Sequence, residues 1–238
     1  YKMFGEGLAV LPKSGIVAIP QQLKSQLKHT RFMLNTKVKE VTDNTLILEN
    51  GTVLKTHFTI VATNASALIP NLNHQETQWK RCDTLYFEVE TRTIQKPIIG
   101  LIADKNALIN NLFFHHSLTM THKAKHQFLS VTVVKSHHLK KDELIKKVIS
   151  DLEIYCNITK VTFIKHYAID KALPDVNDMR YDCAPTETQL KPTIYLAGDY
   201  LLNGSLNAAM ISGERAAQGV VQSLEDGLVV EALTSEYI

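Results

Sequence analysis

Near the C-terminal end of the sequence, Asp199 follows Ala197-Gly198 at the close of an apolar run, and Ser205 precedes a stretch with helical spacing. A carboxylate at a strand end can accept hydrogen bonds from ligand hydroxyls. A helix N-terminus capped by Ser205 offers unpaired N–H groups and a partial positive charge, suited to an anion or an electron-rich carbonyl. The helix is expected from about Leu206 to Leu224. Met210, Gly213, Ala217, Val221 and Leu224 share one stripe of it, and Ala208, Ala209, Ser212, Ala216 and Gly219 occupy the rest. Glycine inside a helix costs about 1 kcal/mol relative to alanine, so two of them point to something approaching the backbone closely. The competing reading is a small-residue helix packed tightly on a sheet, with Asp199 only starting a turn.

Other reactive side chains give weaker patterns. His115-His116 and His137-His138 suggest a metal, but adjacent residues on a strand point to opposite faces, and no carboxylate or thiol lies at ligand spacing in the sequence. They are expected at a surface or interface, with no metal. A serine hydrolase built on Gly204-Ser205 fails the G-x-S-x-G elbow, because Asn207 stands where the second glycine belongs. Cys82, Cys156 and Cys183 share no close spacing and read as reduced intracellular thiols. Trp79, Tyr86, Phe87, Phe113 and Phe114 could line an apolar pocket, although alternation on strands more often puts such residues in a core.

These side chains need a scaffold, and the chain is long enough to supply one. It has 238 residues, 45% hydrophobic and 21% charged, the profile of a globular protein with a substantial core. A net charge of +2 and the lack of a basic stripe argue against a nucleic-acid partner. No window approaches a membrane-spanning length of apolar residues, so the expected location is cytoplasmic, with peripheral membrane contact left open. Pro20 opens a short helix carrying Leu23 and Leu27. Loose alternation over Arg31–Val41, the turn Asn50-Gly51 between Leu46–Glu49 and Thr52–Lys55, and the apolar run His57–Ala62 predict strands, the second pair as a hairpin. From about Asn71 the runs Leu85–Thr91, Ile98–Ala103, Ala107–Phe114 and Phe128–Val134 predict antiparallel strands, and Lys141–Tyr155 a helix. Val161–Ile169 predicts a further strand, broken at Ala172-Leu173-Pro174, and Asp175–Gln189 reads as irregular. The order is α+β in the middle, enclosed by two pieces of a layered α/β domain.

The sequence Ala197-Gly198-Asp199, Asn203-Gly204-Ser205, Ala208-Ala209 and Ser212-Gly213-Glu214-x-Ala216-Ala217 resembles the C-terminal FAD-binding signature of the flavin-containing amine oxidoreductase superfamily. Leu11-Pro12, Gly15-Ile16, Ile19-Pro20, Asn35-x-x-Val38, Asn50-Gly51, Ile60-Val61-Ala62-Thr63 and Ala172-Leu173-Pro174 extend the likeness over most of the chain. It is thinnest from Asn71 to Asn157 and closest to the phytoene desaturase and protoporphyrinogen oxidase-like branch. The resemblance implies a partial FAD-binding domain over 1–70 and 190–238, enclosing a substrate-binding domain over 71–189 with a mainly antiparallel sheet and helices. It implies that Asp199, next to Gly198, hydrogen-bonds the ribityl chain or pyrophosphate end of FAD. It further implies that Asn207 and Ala208, beside Ser205, place backbone N–H groups near the flavin pyrimidine. Val38 would meet the adenine through its backbone, and Ala62-Thr63 would line the pyrophosphate side. The implied activity is hydride transfer from an apolar small-molecule substrate to flavin; the resemblance names no catalytic residue.

The sequence departs from that family in two places. A G-x-G-x-x-G loop after a strand is absent; Gly5-Glu6-Gly7 lacks the third glycine and a preceding strand. With Tyr1 first, the expectation is the C-terminal portion of a flavoprotein that holds FAD poorly by itself. The second departure concerns a lysine that several amine oxidases carry near the flavin. The comparable place falls near Asp83, which leaves desaturase-like or porphyrinogen-like chemistry more open than amine oxidation. Covalent flavin attachment at Cys183 is set aside. The alternative from another class is a non-catalytic scaffold that kept the fold without the cofactor.

Overall fold

The structure, a computed structural model, describes residues 10–70, 72, 77–90, 93–117 and 127–226. The Gly5-Glu6-Gly7 stretch and Thr91, at the end of one expected strand, lie outside the described residues.

Helix α1 spans Ala18–Gln26 and tolerates Pro20 because its first turn has no intrahelical acceptor for that N–H. It has no buried residue, and Leu23 and Leu27 are half exposed. The expected strand Arg31–Val41 shortens to β1, Val38–Val41, because Asn35 turns the chain at φ +55°. Strands β2 (Thr45–Leu48) and β3 (Val53–Lys55) follow as an antiparallel meander. Asn50-Gly51 makes the turn between them: Gly51 has φ +84°, which favours glycine, and the Asn50 side chain accepts the Thr52 N–H at 3.0 Å.

Strand β4 (Thr59–Val61) belongs to a second sheet, ordered β10-β11-β4 with β10 Gln189–Lys191 and β11 Ile194–Leu196. The pairing of β11 with β4 is parallel, Ile194 opposite Thr59 and Leu196 opposite Val61. Between β4 and β10 the chain builds a five-stranded antiparallel sheet, ordered β6-β7-β8-β5-β9. Its strands are β5 (Trp79–Val89), β6 (Gly100–Leu101), β7 (Asn111–Phe114), β8 (Gln127–Val133) and β9 (Val161–Pro174). Leu85, Phe87, Val89, Leu129, Val131 and Val133 alternate onto one face. Leu144, Val148 and Leu152 of α2 (Lys141–Cys156) pack on that face at helical spacing. Among the described residues no helix covers the opposite face, which carries Cys82, Tyr86, Asn111, Phe128 and Thr132. There the Tyr86 ring stacks on Phe128 with centroids 5.3 Å apart.

Two expectations about this stretch need correction. Pro174 does not break β9 at Ala172; the strand runs through it and pairs with Trp79. The reason is that β9 is an edge strand, where a residue without an N–H costs no ladder bond. The segment expected to be irregular up to Gln189 ends in β10, a strand too short to show alternation.

The closing helix α3 runs over Leu206–Glu225, close to its expected bounds. Its buried face, however, is the small-residue one: Ala208, Ser212, Ala216, Gly219 and Ser223. Met210, Val221 and Leu224, on the bulky stripe, are exposed. The cause is Tyr195 of β11, which is fully buried and lies across the helix. Its hydroxyl donates to the Gly219 carbonyl (3.1 Å), pairs with Ser223 Oγ (2.6 Å), and accepts from Gln189 Nε2 (2.9 Å). A Cβ at Gly219 would sit 2.6 Å from Tyr195 Cε1 and 3.1 Å from the Pro185 carbonyl, whereas one at Gly213 would meet nothing within 4 Å. Residues 178–188 also pack on α3: Arg215 donates from Nε and Nη2 to both oxygens of Asp182, at 2.9 and 2.8 Å.

Gly219→Ala is therefore expected to destabilise the protein by about 1–3 kcal/mol through overpacking, while Gly213→Ala gains up to about 1 kcal/mol of helix propensity. Urea denaturation of both variants checks this, and equal effects would contradict the packing. The Arg215 guanidinium and the Cys183 N–H hold the Asp182 carboxyl down at about 2, against an ordinary 3.8. A depressed carboxyl stabilises the fold above its ordinary value and loses that contribution as pH falls toward about 2. Asp182→Asn should flatten the acid limb of the stability curve in that window.

Candidate functional site

Parallel strands place their C-terminal ends side by side, where ligands bind in open α/β sheets. Here the Ala197 N–H donates to the Val61 carbonyl at 3.0 Å, so Ala62-Thr63 and Gly198-Asp199 leave the sheet together. The Gly198 N–H is held by Ser212 Oγ at 2.9 Å, and Ser212 donates back to the Ala209 carbonyl within α3 at 2.9 Å. This ties the strand end to the helix. A side chain at Gly198 is excluded by space: its Cβ would lie 2.3 Å from the Tyr200 ring.

Asp199 starts a single 3-10 turn, and its carbonyl accepts from Leu202 N (3.0 Å) and Gly204 N (3.2 Å). Its carboxylate has no hydrogen-bond or ion-pair partner among the described residues. Gly204, at φ +45°, carries the chain into the helix. There Ser205 Oγ donates to Asn203 Oδ1 (2.7 Å) and accepts the Ala208 N–H (3.1 Å). Asn203 is anchored in turn to the Arg180 carbonyl at 2.7 Å. Beside these groups, Tyr200 Oη is buried without a partner; burial, and after it the Asp199 charge, pushes its pKa up.

The structure thus gathers Ala62, Thr63, Gly198, Asp199, Ser205, Asn207 and Ala208 around one end of the β4–β11 pair. One detail differs from expectation: the Ala208 N–H is consumed by its own cap, and Ala208 is buried against Cys183 and Leu202. The N–H groups at Leu206 and Asn207 are the ones a helix start leaves without an intrahelical acceptor. Val38 stands apart in the meander, joined to the site through a hydrophobic cluster containing Val41, Val61 and Ile194. Asn203 and Ser212, present in the sequence signature without a role, anchor the loop and the strand end, and Tyr200 had no signal in the sequence; a serine among the small residues of the helix was the available signal for Ser212.

The arrangement suits a polyhydroxylated, carbonyl-rich ligand. A free carboxylate takes hydroxyl donors, two helix N–H groups take a carbonyl, and an orphaned phenol supplies one more contact. A flavin nucleotide presents those groups, so the residues fit the cofactor implied by the sequence resemblance.

Of the adjacent histidines, His138 is exposed as expected, but His137 turns inward. His137 and His166 place Nε2 at 3.2 and 2.7 Å from the carboxylate of Asp83, and all three side chains are close to nine-tenths buried or more. His115 packs edge-on to Phe113 at 5.2 Å, and burial, then His116, pushes its pKa down. Among the described residues no group of three or more His, Cys, Asp or Glu side chains is arranged for a metal ion. Asp83 lies on the α2 face with Leu85 and Phe87, away from the open face. Also among the described residues, no helix is long and apolar enough to cross a membrane.

The profile of the family described as "Flavin containing amine oxidoreductase" matches residues 1–221. No curated protein matches the chain. Solved structures do: a protein assigned as a protoporphyrinogen oxidase from Exiguobacterium sp. 255-15 is 17% identical, with TM-score 0.63 over 89% of this chain and 51% of that one. A putrescine oxidase variant is 11% identical, TM-score 0.62, over 88% and 53%. Reduced UDP-galactopyranose mutase is 13% identical, TM-score 0.55, over 68% and 40%. These likenesses are of fold. The chain spans about half the length of the structures it matches.

Asp83→Ala leaves two buried imidazoles without their acceptor. It is expected to cost about 3–5 kcal/mol, measured by chemical denaturation; a loss below about 1 kcal/mol would show that the cluster is not coupled as drawn.

Proposed function

Because the chain belongs to the flavin-containing amine oxidoreductase family, whose cofactor is FAD, we propose that it forms the flavin-facing part of an FAD-dependent oxidoreductase. The observation that carries this reading is the convergence of the β4 and β11 ends on the Ser205-capped start of α3. Asp199 would accept hydrogen bonds from the ribityl chain or the pyrophosphate end. The Leu206 and Asn207 N–H groups would face the flavin carbonyls, and Ala62-Thr63 the pyrophosphate side, with Val38 toward the adenine. Bound FAD supplies a two-electron hydride acceptor that no side chain can provide. The chain's own part is to bind and orient it: Ser212 fixes Gly198, Asn203 and Ser205 fix the loop, and the small face of α3 keeps both close.

The division proposed for the chain is a partial FAD-binding domain from 1–70 and 190–238, and a substrate-binding domain over 71–189. Two separate hydrophobic clusters support it, one under the five-stranded sheet and one at β1, β4 and β11. Residues near Cys183 pack with α3. The proposed substrate is a small apolar molecule, with no role for nucleic acid. No glycine-rich phosphate loop between a strand and a helix occurs in the described residues, so the chain is expected to hold FAD weakly by itself.

Titration of the chain with FAD, followed by quenching of flavin fluorescence, checks both statements. Weak saturable binding is expected, and Asp199→Ala should weaken it about tenfold or more, the worth of a charge-assisted hydrogen bond. Stoichiometric flavin in the purified chain would overturn the weak-binding statement. Unchanged affinity in Asp199→Ala would overturn the site and favour a scaffold without cofactor.

A further inference from the structure

The open face of the five-stranded sheet holds a cavity of about 800 Å³ at the end nearest the cofactor site. Leu173 forms part of its wall, and the same Leu173, with Pro174, lies 3.3–3.5 Å from where a Cβ of Gly204 would be. The cavity thus abuts the loop that carries Ser205, and the following inference rests on the flavin reading for its role as substrate site.

The charges lining this cavity have one sign. Lys80 and Arg81 line it, and among its described lining residues there is no carboxylate. The Asn110, Asn111, Thr132 and Ser136 side chains supply amide and hydroxyl donors, and none of them has a hydrogen-bond partner among the described residues. Asp83 is held by two histidines on the other face and lies 3.5 Å from Arg81, and Asp175 pairs with Lys80 at 2.9 Å; both cations are more than half exposed and keep further N–H donors for a ligand. An ammonium ligand could donate to the amide and hydroxyl oxygens, but Lys80 and Arg81 would repel it, and no carboxylate among the described lining residues offsets that repulsion. The aromatic face at hand, Trp79, already faces a cation: Lys171 Nζ is 6.0 Å from its ring centroid. Trp79, Ile169 and Leu173 supply the apolar remainder.

We propose that this cavity takes an organic carboxylate with an apolar body, and that it selects against amines. The carboxylate accepts from the unpartnered amides and hydroxyls and is favoured by Lys80 and Arg81; the apolar body lies along Trp79, Ile169 and Leu173. Substrate choice is thereby set by the alternation of β5, β7 and β8, independently of how the flavin is held.

Trp79 is the one tryptophan of the chain, so its emission reports on the cavity directly. The experiment titrates the chain, without flavin, with decanoate and with decylamine, two probes of equal length and opposite charge. Decanoate is expected to change Trp79 emission saturably and to bind at least tenfold tighter than decylamine. Asn111→Asp, which adds a carboxylate with little change of shape, should cancel or reverse that preference. Lys80→Gln, at a half-exposed position, should weaken decanoate alone, and far-UV circular dichroism identifies any variant that fails to fold. Equal or tighter binding of decylamine overturns the proposal, as does saturable binding of neither probe or an unchanged preference in both folded variants. A decanoate preference alongside an FAD titration insensitive to Asp199→Ala would sink the flavin reading alone.

Discussion

The parallel pairing of β4 with β11 is the contact on which the candidate site depends. The two strands come from opposite ends of the chain, and the whole five-stranded sheet with α2 is built between them. Each strand is three residues long, so the pairing has few ladder bonds of its own. Its stability comes from what covers it. On one side Val61 and Ile194 pack with Val41, Ala65 and Ile69. On the other, Tyr195 packs under α3. The small face of α3 is the condition for that: a bulky residue at Ala216 or Gly219 would hold the helix off Tyr195 and, with it, move Ser205 and the N–H groups beyond.

Local features were legible in the sequence because local rules decide them. Asn50-Gly51 requires a turn, Ser205 caps a helix, and Leu144, Val148 and Leu152 fall on one helical face whatever lies elsewhere. The pairing of β4 with β11 could not be read that way, since no short-range pattern links Ile60 to Tyr195; the resemblance to a known family only grouped 1–70 with 190–238. The spacing along α3 separated two stripes without saying which one is buried. The structure buries the small one, because its partner, Tyr195, brings the volume and leaves room only for Ala, Ser and Gly. Met210, Val221 and Leu224 were displaced outward as a result, onto the side of the chain where α1 also has no buried residue.

The Asp83 cluster was illegible for a related reason. Positions 83, 137 and 166 lie on β5, on the loop before α2 and on β9, and only the pairing of β5 with β9 brings His166 to Asp83. Adjacent histidines, taken as a pair, pointed toward solvent or metal; taken singly, His137 turned inward to a carboxylate. A buried acid flanked by two imidazoles satisfies its lone pairs without a metal or an exposed lysine.

That placement has a consequence for the other side of the sheet. Successive residues of a strand face opposite ways, so Asp83 on the α2 face leaves Cys82 and Thr84 on the open one. Moving the acid by one residue would put its charge toward the cavity; the same displacement would bring an apolar neighbour into its buried place. Arg81, half exposed with a guanidinium nitrogen 3.5 Å from Asp83, spans the two environments. At this end of the sheet Asp83 sits on the face where histidines can satisfy it, and Lys80 and Arg81 stay more than half exposed. A ligand approaching the cavity meets amides, hydroxyls and positive charge, with Asp83 beneath the sheet and Asp175 paired to Lys80.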